Sequence, residues 1–247
     1  MAGRAVLVTG ASRGIGQAIA ATFAASGDRV AVHCRQLSAA ADAVLAALPG
    51  DGHVLAPADL GDPEAVRSMV DSAAGALGGL DVVVNNAGVY APHAILGDSY
   101  ADWQAVWRHT LEVNLLGPAN VVWCAARHMG RGGRIVNVSS RGAFRGEPGH
   151  VAYGASKAGL NSLTQSLAVA LAPRGIAVTA VAPGFVETDM AAPALAVDGD
   201  AVRAQSPFRR VAQPEEIAAA VHWLASPAAE WASGTIVDLN GASYLRT

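Results

Sequence analysis

Two cysteines in 247 residues are too few for a disulfide framework, and both, Cys34 and Cys124, lie inside apolar stretches, as reduced thiols of a cytosolic protein do. A basic excess is missing too. Seventeen lysines and arginines against 20 acids leave a formal charge of −3, which argues against nucleic acid as a partner. No apolar run reaches membrane-spanning length, and the opening MAGRAVLVTG passes into turn glycines without room for a secretory apolar segment, so the chain reads as soluble and cytoplasmic. No serine-, proline- or charge-rich linker divides it and no period repeats. What remains is a chain 52% hydrophobic and 15% charged, enough for one large core, read as a single domain over 1–247.

Short β-branched runs alternate with longer alanine-rich stretches of helical period, the pattern of a doubly wound parallel sheet with helices on both faces. Strands are expected at 4–9, 29–34, 53–56, 81–84, 133–138, 176–181 and 235–238, and helices at 14–26, 38–48, 63–77, 102–129, 152–173 and 214–225. Val82-Val83-Val84 and Ile135-Val136-Asn137-Val138 are continuous rather than alternating, as in strands buried on both faces. The irregular stretches 86–101, 139–151 and 183–210 each follow the carboxyl end of an expected strand, where open parallel sheets bind ligands.

TGASRGIG (9–16) sets Gly10, Gly14 and Gly16 between the first strand and the first helix. Its spacing is G-x-x-x-G-x-G rather than G-x-G-x-x-G, but its physical use is the same. Glycines let backbone turn tightly and approach a pyrophosphate at a helix amino end, which makes Ser12, Arg13 and Ile15 of the same turn cofactor candidates. The second strand ends Val32-His33-Cys34-Arg35 with no acid to accept from a ribose 2′-hydroxyl. Arg35 and Arg13 can instead clamp a 2′-phosphate, which selects NADPH; Arg35 is otherwise an ordinary solvated cation. Asp59, followed by Leu60, is placed either to accept from an adenine amino group or to cap the next helix.

Tyr153 and Lys157 stand at i and i+4, on one face at the start of a helix. A fixed ammonium beside a phenol favours phenolate, so a lowered tyrosine pKa is expected, with the proton available to a developing alkoxide. Ser140, thirteen residues before Tyr153, can reach the same point and hydrogen-bond a carbonyl oxygen; Ser139 reads as a buried turn partner.

TGASRGIG, Asn85-Asn86-Ala87-Gly88, Asn114, Ser140, Tyr153-x-x-x-Lys157 and Pro183-Gly184 occur in the order and at the intervals of the short-chain dehydrogenases/reductases, which the chain resembles along nearly its whole length. The resemblance implies a Rossmann-type fold and hydride transfer between a nicotinamide and a carbonyl or carbinol carbon. It makes Tyr153 the acid or base. Lys157 then holds the nicotinamide ribose, Ser140 orients the oxygen, and Asn114 supports a water linking Lys157 to solvent. Asn86, Ala87 and Gly88 flank the cofactor, and Pro183, Gly184, Val186 and Thr188 line its nicotinamide end.

Within that family the chain is most similar to the β-ketoacyl carrier-protein reductases, through VAPGFVETDM (181–190) and the run from Pro207-Phe208-Arg209-Arg210-Val211 to Glu215-Glu216-Ile217-Ala218. This implies a 3-oxoacyl thioester substrate and docking of an acidic carrier protein near the pocket mouth by Arg131 and Arg174, which can equally be solvated helix-end cations. Alcohol, sugar and secondary-metabolite reductases share the same pattern, and a non-catalytic nucleotide sensor is a further alternative. Helices 102–129 and 152–173 carry apolar residues on more than one side, which together with the resemblance points to a homotetramer. Arg141, Arg145 and Glu147, in SSRGAFRGEPGHVAY, either read an acidic group on the substrate or pair among themselves to hold the loop. Where relatives end in Asp-Gly-Gly or Asn-Gly-Gly, this chain has Asp238-Leu239-Asn240-Gly241-Ala242.

Overall fold

A computed structural model describes residues 3–246. Seven strands, β1 (Ala5–Val8), β2 (Arg29–Cys34), β3 (Val54–Pro57), β4 (Leu80–Asn85), β5 (Met129–Val138), β6 (Ala177–Pro183) and β7 (Ile236–Leu239), form one parallel sheet in the order β3-β2-β1-β4-β5-β6-β7. Because strand side chains alternate, one strand feeds two cores. Val6 and Val8 face the first, with Phe23, Ile19, Ile217 and Val221. Leu7, Val83 and Ile135 face the second, with Val66, Val70, Leu77 and Val121. Continuous apolar runs in β1 and β4 follow directly, since each side of the sheet is covered by helices.

Those helices are α1 (Gly14–Ala25), α2 (Ala39–Ala47), α3 (Pro63–Leu77), α4 (Tyr100–Leu111), α5 (Gly117–Ala125), α6 (Val151–Leu171), α7 (Ala192–Ala204) and α8 (Pro214–Leu224). Local chemistry marks their ends. At α3, Asp62 Oδ1 accepts from Glu64 N at 2.9 Å and Ala65 N at 3.2 Å, Pro63 opens the first turn, and Gly78 closes the helix at φ 77°. At α8, Gln213 and Glu216 form a reciprocal capping box around Pro214.

Three expectations need correction. The helix expected over 102–129 is α4 and α5 joined by a π-helical turn, Glu112–Leu116, and it stops at Ala125 because β5 already begins at Met129 rather than 133. Pairing of Met129 with Leu80 in β4 captures that residue for the sheet. The stretch 183–210, expected irregular, contains α7, interrupted at Asp198 where φ and ψ are −152° and 71°; none of its residues is buried, so no apolar stripe announces it. Asp59 is not the cap of α3; Asp62 is. Among the described residues no helix is long and apolar enough to cross a membrane.

Candidate active site

Strand order reverses at β1, whose neighbours β2 and β4 carry the chain to opposite edges, and a large cleft opens at the carboxyl ends of these strands. It encloses about 920 Å³. One end is built of backbone. Gly10 and Gly14 adopt φ of 63° and 55°, the left-handed region, and a Cβ at Gly16 would lie 2.2 Å from the Gly10 carbonyl oxygen and 2.5 Å from Asn86 Nδ2. The turn is pinned from two sides. Asn86 Nδ2 donates to Thr9 O at 2.9 Å and Gly10 O at 3.1 Å, while Thr9 Oγ1 accepts from the amides of Asn86 and Ala87.

The second pin is His33, to which the sequence reading assigned no role. Gly10 N donates to its Nδ1 at 2.8 Å, so its Nε2 carries the proton and donates to Ala58 O at 3.0 Å. Burial lowers the His33 pKa, and the Ala58 hydrogen bond opposes this only in part. A polar residue in an otherwise apolar buried strand was the available signal.

Gly10, Ser12, Arg13, Gly14, Ile15, Gly16, Arg35, Asp59, Leu60, Asn86, Ala87, Gly88, Ser140, Tyr153, Lys157, Pro183, Gly184, Val186 and Thr188 all line this one cleft. The two arginines stand exposed at its rim, Arg35 3.5 Å from Asp59 and Arg13 3.6 Å from Asp189. Thr188 closes over the turn, its Cγ2 3.2 Å from where a Cβ of Gly14 would stand.

At the other end, Lys157 Nζ donates to Val138 O at 2.8 Å and lies 5.7 Å from the Tyr153 ring centroid. Ser139 is buried and donates to the Lys157 carbonyl, whereas Ser140 Oγ accepts from Gly142 N at 3.0 Å and lines the cleft with Tyr153. Asn114 alone of the expected catalytic residues is off the cleft wall. Fully buried in the π-turn, it accepts from Val89 N at 2.8 Å and donates to Val89 O and Ser156 Oγ, tying the 88–89 turn to α6. Two aromatic neighbours also escaped the sequence reading. Tyr90 meets Tyr153 edge-on at 4.7 Å and stacks flat on His150 at 3.6 Å.

The electrostatics reverse one expectation. Burial pushes the Tyr153 hydroxyl up to about 12, with the Ser140 hydroxyl opposing it, and pushes Lys157 down to about 8. The ammonium does not lower the phenol here; desolvation, which penalises the charged form of each group, is the largest cause of both shifts. At neutral pH the phenol holds its proton.

Arg131 and Arg174 are not at the mouth of this cleft. Arg131 lies near the start of β5 and Arg174 just ahead of β6, at the amino ends of strands whose carboxyl ends line the site, roughly 20 Å away along the sheet. Arg174 donates to Met129 O at 3.1 Å, and Arg131 packs against Gly175.

Residues 10–241 match the sequence profile of a family described as enoyl-(acyl carrier protein) reductase. A 3-oxoacyl-[acyl-carrier-protein] reductase of Synechocystis sp. is 36% identical over 244 residues, covering 97% of this chain and 96% of the relative. A cis-4-hydroxycyclohexanecarboxylate dehydrogenase of Sinomonas cyclohexanicum is 39% identical over 242 residues, covering 96% and 95%. Among solved structures, a short chain dehydrogenase from Burkholderia cenocepacia in complex with NADP shares 39% identity at a TM-score of 0.90, covering 98% of each chain. A parallel sheet with the glycine turn at its switch point, a serine, tyrosine and lysine gathered beside it, and full-length relatives of this kind agree: the chain belongs to the short-chain dehydrogenase/reductase family of oxidoreductases.

Proposed function

We propose that the protein is an NADPH-dependent ketoreductase, reducing a ketone to a secondary alcohol, and that the ketone is a 3-oxoacyl thioester. The observation that carries this reading is the convergence of a backbone cradle and the Ser140, Tyr153 and Lys157 cluster in one cleft. The cleft fits a dinucleotide: only glycine backbone can approach closely at Gly16, two rim arginines stand where the second strand lacks an acid, and the NADP-bound relative shares the whole fold. In this reading Arg13 and Arg35 take the 2′-phosphate, Asp59 accepts from the adenine amino group, Lys157 holds the ribose hydroxyls, and Thr188 meets the carboxamide.

A nicotinamide held there would supply the hydride for the carbonyl carbon. Ser140 donates a hydrogen bond to the carbonyl oxygen, and Tyr153 gives that oxygen its proton as charge develops there. A phenol held protonated by burial suits the reducing direction. Asn114 fixes the turn beside Lys157 and supports the water through which Lys157 reaches solvent.

Carrier-protein reductases among the relatives support the thioester. With Arg131 and Arg174 remote from their own cleft, a carrier docked on them serves a neighbouring subunit of a homotetramer, for which the exposed Trp123 of α5 and Val169 of α6 supply apolar surface. The test is NADPH oxidation, with NADH in parallel, on an acetoacetyl thioester, ethyl acetoacetate, an aromatic diketone and a sugar aldehyde. Rapid thioester reduction with NADPH is the expected result; tight NADPH binding without turnover on any of them leaves a more specialised ketone or the nucleotide-sensor reading in its place.

A further inference from the structure

Arginine side chains are almost never fully buried without an acid, because a desolvated charge costs several kcal/mol unless it is paired. The other strongly buried guanidinium here obeys this: Arg134, whose side chain is 5% exposed, meets Glu230 at 2.9 Å. Half-buried Arg4 meets Asp28 at 2.7 Å. Arg141 is the exception. Only 4% exposed, it forms no ion pair among the described residues. Its contacts are neutral: Nη1 donates to Ser243 Oγ, Nη2 donates to Gln205 Oε1 at 2.5 Å, and the guanidinium stands 5.0 Å from the Phe185 ring centroid. Glu147, the nearest candidate acid in sequence, pairs with Arg145 at 3.7 Å; its charge also reaches Arg141, but the two form no ion pair.

Position decides what the missing acid is. Arg141 directly follows Ser140 and lines the same cleft, and with Phe185 it also lines a second cavity of about 280 Å³ beyond it. Of the five N–H groups a guanidinium carries, two are held by Ser243 and Gln205, so donors remain for a ligand. A carboxylate matches this fork, and the reacting ketone is held one residue away.

We propose that Arg141 is the specificity residue of this cleft and takes the carboxylate of an oxo acid, so that the ketone reduced carries an anionic group at its end remote from the nicotinamide. The proposal rests on the ketoreductase reading and narrows its substrate class: an oxo acid, or a 3-oxoacyl chain ending in a second carboxylate. The carboxylate is unchanged in the reaction. It balances the buried guanidinium and sets the carbonyl against Ser140 and Tyr153.

The test compares 4-oxopentanoate, 5-oxohexanoate and 6-oxoheptanoate with their methyl esters, which differ in charge and little else; the series scans the spacing between carbonyl and carboxylate. The expected kcat/KM of the best acid exceeds that of its ester by about tenfold or more, the effect of one charge-assisted contact. In Arg141→Gln the ratio falls toward one, and Arg141→Lys keeps part of it. Esters reduced as well as acids across the series, or a ratio that survives Arg141→Gln, overturns the proposal. Because Arg141 also ties three segments together, the wild-type protein loaded with NADP+ is titrated with hexanoate and with hexanamide, followed by tryptophan fluorescence. About tenfold tighter hexanoate binding is expected, and equal binding overturns the proposal without any variant. If no ketone of either kind is reduced and the acetoacetyl thioester is not reduced either, the ketoreductase reading falls, while the hexanoate titration still decides whether Arg141 binds carboxylates.

Discussion

Tyr153, partly exposed in the cleft, and Lys157, buried behind it, share one face of α6, and each is shifted toward its neutral form. On the proposed mechanism Tyr153→Phe removes the proton donor: turnover is expected to fall by about 10²–10⁴-fold, with NADPH affinity changed by less than about threefold in a fluorescence titration. His33 makes a second prediction. Its neutral ring must accept from Gly10 N, and burial holds its folded pKa below the ordinary 6.5. Below pH 6.5 the unfolded chain therefore binds more protons than the folded one, so this contribution to stability is complete above 6.5 and is lost as pH falls toward the folded pKa. Urea unfolding of wild type and His33→Gln between pH 5 and pH 7.5 isolates it; the stability gap between them should narrow on acidification, and a constant gap removes His33 from the glycine turn. The glycine turn and the Tyr153–Lys157 spacing were legible because both are local. The direction of the tyrosine shift was not, since desolvation depends on everything packed around the ring.

At the scale of elements, the carboxy-terminal turn departs from its relatives at a position that costs something. Ala242 has φ 57°, a left-handed conformation natural for glycine and strained for alanine. That turn leads into Ser243, bonded to Arg141, and Tyr244, whose hydroxyl donates to Phe144 O at 3.0 Å, so the tail braces the loop behind Ser140. Ala242→Gly should stabilise the protein by about 0.5–1 kcal/mol, read as a higher urea midpoint at unchanged slope. A midpoint that falls instead means the tail is held by its side chains strongly enough for the added freedom of glycine to dominate. The same scale explains the elements that sequence misplaced. Helical period runs unbroken through 112–116, yet Asn114 is drawn to Val89 and Ser156, and the turn widens to π form to reach them.

For the whole molecule, the cleft joins the ends of β1, β2, β4, β5 and β6, so a ligand there restrains segments from most of the chain. At a concentration one hundred times Kd, NADPH should add about 2.7 kcal/mol to stability and raise Tm by roughly 5–10 °C. NADH at the same concentration should raise it less, and Arg35→Asp should invert the order. An unchanged order in that variant removes Arg35 from the phosphate clamp.

Sequence alone determined the parallel αβ architecture, the nucleotide-type turn and part of the cleft lining, because those depend on period, on glycine's backbone freedom and on fixed short spacings. Only the tertiary structure decided that the tyrosine is held neutral, that Asn114 stands behind the wall, that Arg131 and Arg174 lie at the opposite, amino-terminal end of the sheet, and that Arg141 is buried without an ion pair. Each of these is a matter of burial or of distance between segments remote in sequence, and both are set by how helices and strands pack rather than by any local run of residues.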